Sequence, residues 1–248
     1  MHRRGPFHID PTVDCVIHTL LGDPRRSHIL LDFLNAVVAP ELRFESVTIL
    51  NPVQNPEFIG DTQHVLDVEA VDQTGRIIQV EMQSHNAHAL KARILYNWAD
   101  LYDRQLKGGT HWSELRPVVC IWILGDNIFR DAPRVHHHFM VHDPGAGLTL
   151  GDHLHIHTLE LPKWVRRLGP APEPALLRWL RFFTEAEDWE DVPVELQSPI
   201  LEEAMGILET FAENASWNSA YRRRMNWEVS QRTEQLARRE AEAARDAA

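Results

Sequence analysis

Cysteine is nearly missing from this chain, with only Cys15 and Cys120 in 248 residues. Both sit in apolar stretches without the spacing that metal ligation needs, which predicts reduced, buried thiols in a cytoplasmic protein. Long apolar runs are missing too. No stretch reaches the roughly 20 residues that cross a bilayer, and Met1-His2-Arg3-Arg4 leads into Gly5-Pro6, not into the apolar core of a signal peptide. Positive charge is scarce: 25 Lys and Arg stand against 36 Asp and Glu, a formal net charge of −11. That balance argues against a protein that coats nucleic acid through a global positive field. Local contact stays open at Arg3-Arg4, Arg25-Arg26, Arg166-Arg167, Arg178 with Arg181, and Arg222-Arg223-Arg224, each of which otherwise reads as a solvated face. There is no Gly-x-Ser-x-Gly elbow, no Cys/His nucleophile pair, no glycine-rich phosphate loop and no internal repeat.

What is present supports a full core: 44% of the residues are hydrophobic, and the length suits one domain with appendages or two small ones. Residues 12–21 read as a short helix ending at Gly22, and Asp23-Pro24 as the cap and first turn of a second helix carrying Ile29, Leu30, Phe33, Leu34 and Val37. Residues 44–50 are a candidate strand, followed by a loop from Asn51-Pro52 to Asn55-Pro56. Residues 89–107 give a helical pattern closed by Gly108-Gly109, and residues 117–124 an apolar run suited to a strand covered on both faces. Residues 135–142 and 153–159 look like further strands. Past the prolines at 170, 172 and 174 come helices over 174–186 and 197–211. Residues 221–248, free of Gly and Pro and rich in Ala, Glu and Arg, read as an exposed helix that frays or pairs with another chain and is not part of the core. The order of helices and strands predicts an α/β fold.

Between the first strand and the long helix lies the most informative segment. Residues 64–71 and 77–83 read as a β-hairpin joined by Asp72-Gln73-Thr74-Gly75-Arg76. Alternation puts Ile78, Val80 and Met82 on one face of its second strand, and Gln79, Glu81 and Gln83 on the other. A three-residue loop with Gly75 in the left-handed position pairs Asp72 with Arg76. Counting back sets Asp67 opposite Glu81, and directly opposite residues point the same way. Two carboxylates so placed repel unless a cation or proton lies between them, and a hard divalent ion such as Mg2+ is the natural candidate. The plainer alternative leaves both acids in solvent on the open side of a half-exposed sheet. A second metal constellation is conceivable at His153, His155 and His157, which share a strand face near His136-His137-His138.

These residues resemble the PD-(D/E)XK nuclease superfamily and, within it, the recombination-promoting nucleases and transposase-like proteins, whose pattern is an Asp followed by Glu-x-Gln. Here it stands as Leu66-Asp67-Val68 and Val80-Glu81-Met82-Gln83. Leu21-Gly22, Phe33-Leu34-Asn35-Ala36, Leu50-Asn51-Pro52, Arg93 to Tyr96, Leu101-Tyr102 and Glu160-Leu161-Pro162-Lys163-Trp164 extend the likeness over roughly the first two thirds of the chain. The resemblance implies a restriction-endonuclease-like mixed sheet flanked by helices over residues 10–165, with a helical C-terminal extension over 170–248. It implies DNA cleavage with Mg2+, Mn2+ being the other candidate, and a place in DNA recombination. Asp67 and Glu81 would be metal ligands, with the backbone carbonyl of Met82 a third. Gln83 takes the place of the superfamily's lysine, and Asp14 on the first helix would reach the site. Two lysines that the family tends to carry are here Gln63 and His18. The expected partner is DNA and not a membrane, with self-association through the C-terminal helix. The rival expectation is a weak or inactive nuclease fold kept as a DNA-binding or oligomerising scaffold.

Overall fold

The computed structural model describes residues 7–38, 40–51, 67–84, 89–106 and 111–246. The sequence readings at Arg3-Arg4, the loop 52–56, Gln63, the start of the hairpin at 64–66, and Gly108-Gly109 lie outside the described residues. Among those that are described, no helix is long and apolar enough to cross a membrane.

The elements run α1 (Asp14–Leu21), α2 (Ser27–Val37), β1 (Val47–Ile49), β2 (Val68–Asp72), β3 (Ile77–Gln83), α3 (Leu90–Asp103), β4 (Val118–Leu124), β5 (His136–Phe139), β6 (His142–Asp143), β7 (Leu148–Thr149), β8 (Leu154–Glu160), α4 (Leu161–Val165), α5 (Pro174–Glu185), α6 (Pro199–Glu213) and α7 (Ala215–Asp246). Six strands form one mixed sheet in the order β1-β2-β3-β4-β8-β5. Its parallel centre, β3-β4-β8, is edged by antiparallel neighbours. Every residue of β4 is buried, as its unbroken apolar run requires of a strand covered on both faces.

The alternation along β3 and β4 divides the interior. Ile78, Val80 and Met82, with Val119, Ile121 and Ile123, join a large core that includes α1, α2, α5 and α6. On the other face Cys120 and Trp122 join a smaller core with Leu90, Ile94 and Leu101 of α3. The polar face of β3 lies on that side, with Gln79 and Glu81 buried. Both cysteines are buried free thiols.

Three local outcomes differ from the sequence reading, each for a visible reason. Asp23 caps a 3-10 turn, Pro24–Arg26, because its carboxylate accepts from the Arg25 backbone at 3.0 Å and from the Arg26 guanidinium at 3.1 Å; α2 starts only at Ser27. The last helix begins at Ala215 and not at Tyr221, since Asn214 Oδ1 accepts from the backbone N–H groups of Ser216 and Trp217 at 3.0 and 3.1 Å. Nor is its first part outside the core. Ala220 and Tyr221 are buried, Trp217 meets Phe211 with ring centroids 4.9 Å apart, and α7 packs on α1 and α6. The large core thus runs without a break from α1 and the sheet to α6 and Tyr221.

This packing changes what truncation does. Ending the chain after Asn218 removes a buried tyrosine whose hydroxyl accepts from Asp10 N–H at 3.0 Å, and the melting temperature should fall by several degrees. Ending it after the exposed Val229 should leave melting within about 2 °C of the full chain by circular dichroism, and equal melts for the two truncations would contradict this packing.

A buried ion pair locks the C-terminal end of β8, in register with the ends of β4 and β3. Glu160 and Lys163 are 0% and 2% exposed. One Glu160 oxygen accepts from the backbone N–H groups of Ile128 and Phe129, the other from Lys163 Nζ, which also donates to the Phe129 carbonyl at 2.9 Å. The loop leaving β4 is thereby tied to β8 and α4.

Candidate metal and phosphate site

The hairpin turn sets the site's geometry. Gly75 has φ +87°, and Asp72 N–H donates to the Arg76 carbonyl at 3.1 Å, the pair expected from a three-residue loop. The ladder then runs Val71↔Ile77, Ala70↔Ile78, Glu69↔Gln79 and Val68↔Val80, so its next step sets Asp67 against Glu81. Asp67 is held there by Asn51, which donates to the Asp67 carbonyl at 2.8 Å and accepts from Glu69 N–H at 2.7 Å, extending the β1–β2 ladder by a side chain. Gln79 Nε2 donates to Asp67 Oδ2 at 2.7 Å, which puts the Asp67 carboxylate on the Gln79–Glu81–Gln83 face.

The solvent-facing alternative fails at Glu81, which is 2% exposed. Burial raises its pKa to about 8; Arg93 pulls the other way, and the charges of Asp67 and Asp14 add to the rise. Arg93, from the first turn of α3, donates to Glu81 Oε1 at 2.8 Å and to Gln83 Oε1 at 2.6 Å. Asp14 arrives from α1, buried, with its pKa raised by burial against the pull of Arg224. Its Oδ2 is ion-paired with Arg224 of α7, while its Oδ1 is buried without a hydrogen-bond partner. One turn along α1, burial lowers the pKa of His18 against the charge of Asp67.

The five residues expected from sequence are therefore placed as follows. Asp67, Glu81 and Gln83 share a face of the hairpin, and Asp14 comes within electrostatic reach of Glu81. The Met82 side chain turns to the large core. Carbonyls alternate along a strand, and since that of Gln83 accepts from Gly125 N–H beyond β4, that of Met82 faces the β2 side, toward Asp67. Sequence reasoning missed roles for Asn51, Gln79, Arg93 and Arg224. Arg93 stood in a quoted motif without a task; Arg224 carried no local signal, being 210 residues from Asp14.

The donor chemistry fits a hard divalent ion: three carboxylates and a backbone carbonyl, with Asp14 Oδ1 an orphaned buried acceptor. As folded, no three His, Cys, Asp or Glu among the described residues converge on one point. Two guanidiniums, Arg93 and Arg224, stand as the counter-ions instead.

The histidines do not make the second metal site. His136 Nε2 meets His157 Nδ1 at 2.9 Å, and His138 Nε2 meets His155 Nδ1 at 3.1 Å. The His138 and His157 rings are stacked at 4.1 Å, and nitrogen lone pairs lie in the ring planes, so stacked imidazoles aim them side by side and not at a shared ion. Burial, then the neighbouring imidazoles, lowers the pKa of His157 to about 2 and of His136 to about 4. An unfolded imidazole titrates near 6.5. Below that pH the unfolded chain binds protons that the folded one refuses, so stability present above about pH 6.5 is lost on acidification, at about 1.4 kcal/mol per pH unit for each histidine. Glu81, with its pKa raised from 4.5 to about 8, works the other way and loses stability as pH rises through that range. The histidine share is therefore read as a difference: acidification from about pH 6.5 to pH 5 should lower the thermal midpoint of the unaltered protein relative to that of His157→Leu, and parallel profiles for the two would refute this.

A mixed sheet whose second and third strands present an Asp and a Glu on one face, with a helix-borne acid beside them, defines a restriction-endonuclease-like α/β protein. The family model described as PD-(D/E)XK nuclease family transposase matches residues 11–234, and the chain belongs to that family. No curated protein and no solved structure matches it.

Proposed function

We propose that the protein is a Mg2+-dependent DNA endonuclease, with Mn2+ as a substitute, acting in recombination of mobile DNA. The observation that carries this reading is the register of the hairpin: it brings Asp67 to the buried Glu81 on a face that Asp14 also reaches, with one Asp14 oxygen left unbonded. Asp67, Glu81 and Asp14 would hold the ion together with the Met82 carbonyl. When bound, such an ion lowers the pKa of a water and neutralises charge on the phosphate. Asn51 and Gln79 fix Asp67 against rotation, and the Gln83 amide orients water or a phosphate oxygen but carries no charge of its own. Residues 10–165 supply these groups except for Arg224. Residues 170–248 supply that counter-ion, the exposed Arg222 and Arg223 as phosphate contacts, and a distal helix for self-association.

The test is nicking of supercoiled plasmid with Mg2+ or Mn2+, with and without chelator. Nicking that survives chelation would defeat the reading. A scaffold without catalysis has one observation in its favour: Arg93 and Arg224 are ion-paired with Glu81 and Asp14. It expects no nicking under any metal, together with loss of self-association, by sedimentation, in the chain ended after Val229.

A further inference from the structure

Gln83 stands where the wider superfamily has a lysine, yet the site does not lack a positive charge. The Arg93 guanidinium donates through Nη1 to Gln83 Oε1 at 2.6 Å and through Nη2 to Glu81 Oε1 at 2.8 Å, so the cation sits against both. Its Cζ also lies over the Trp122 ring, 5.5 Å from the centroid.

We propose that Arg93 replaces the missing lysine and contacts the phosphate of a bound DNA strand while it positions Glu81 and Gln83. The inference rests on the nuclease reading of the site and names the residue through which the site recognises its substrate. Three observations support it. The two bonds to Glu81 and Gln83 engage two of the five N–H donors of a guanidinium, and the side chain is 33% exposed although its carboxylate partner is 2% exposed, so one side of the fork faces solvent where a strand would lie. Its position is unfavourable for the helix that carries it: Lys91 and Arg93 occupy the first turn of α3, which contains no acid, and cations there meet the positive end of the helix dipole. Lastly, the planar fork holds its five donors in a fixed geometry, so that it can serve the two side chains and a phosphate oxygen together.

Salt dependence of DNA binding reads a phosphate contact directly, because each neutralised phosphate adds about 0.9 to the slope of log affinity against log salt. Binding of a short fluorescent duplex, measured by anisotropy over a range of KCl without divalent metal, should show Arg93→Gln with a slope shallower by about one unit and affinity reduced about tenfold in low salt. Arg93→Lys should keep most of the slope. Gln83→Lys placed on Arg93→Gln should restore it, and should restore nicking where the unaltered protein nicks. If Arg93→Gln alone misfolds because Glu81 is left unpaired, the pair Glu81→Gln and Glu81→Gln/Arg93→Gln gives the same comparison with both charges removed. An unchanged slope, with nicking retained, overturns the role of Arg93 and leaves the nuclease reading standing. A shallower slope in a protein that never nicks does the reverse. Failure of the unaltered protein to bind duplex at all overturns this inference as well.

Discussion

Asp67→Ala and Glu81→Ala will each lower metal-dependent plasmid nicking by about 10²–10³-fold, the several kcal/mol of charge stabilisation that a carboxylate-held ion supplies. Neither change should unfold the chain. Burial first, and the charges of Asp67 and Asp14 after it, raise the pKa of Glu81, so its removal takes away a carboxyl that is costly to bury and leaves Arg93 open to water on one side. Removing the Asp67 side chain spares the backbone bonds through which Asn51 holds the strand end. Thermal melts should therefore stay within a few degrees of the unaltered protein. Full nicking by both variants would remove the assignment from this face of the sheet, whatever activity the protein has elsewhere. Glu81→Gln gives the sharper comparison, since it keeps volume and a hydrogen-bond acceptor for Arg93 and loses only the charge.

The largest loss of stability is expected two strands away, at Glu160, which the parallel ladders set in register with Leu124 and Gln83. Lys163→Met leaves Glu160 fully buried with its backbone donors but without its cation, and breaking one side of a buried pair costs about 3–5 kcal/mol. In a chain of this length each kcal/mol moves the melting temperature by about 2–4 °C, so a drop of roughly 6–20 °C is expected by calorimetry. Replacing both partners, Glu160→Leu with Lys163→Met, should cost less than the single change, because no uncompensated charge is then left inside. A single-variant drop under about 2 °C would show that water reaches the pair.

The hairpin was legible because its information is local. One glycine in the left-handed position fixes the loop length, the loop fixes the register, and the register decides which acids face each other; all of this lies within residues 67–83. The buried strand β4 and the helix α3 were legible for the same reason, since period and apolar content are local properties. The counter-ions were not. Arg224 reaches Asp14 only because α6 turns the chain back over α1, and nothing near residue 224 distinguishes it from its neighbours Arg222 and Arg223, which are exposed. The last helix was misjudged at its start because a charged composition hides one buried tyrosine, and burial there is set by what α1 and α6 leave uncovered. The stacked histidines illustrate a limit of periodicity: it places rings on a shared face but says nothing of how their planes lie.

The ion pair between Asp14 and Arg224 also fixes an order of events during synthesis. Its partners are separated by 210 positions, and a ribosome adds roughly 5–20 residues per second, so Asp14 emerges roughly 10–40 s before the arginine that neutralises it. Through that interval Arg93, made long before, can already balance Glu81, whereas Asp14 waits for its counter-charge from α7. The resting arrangement of the site is therefore completed only after α7 has been made and lies against α1.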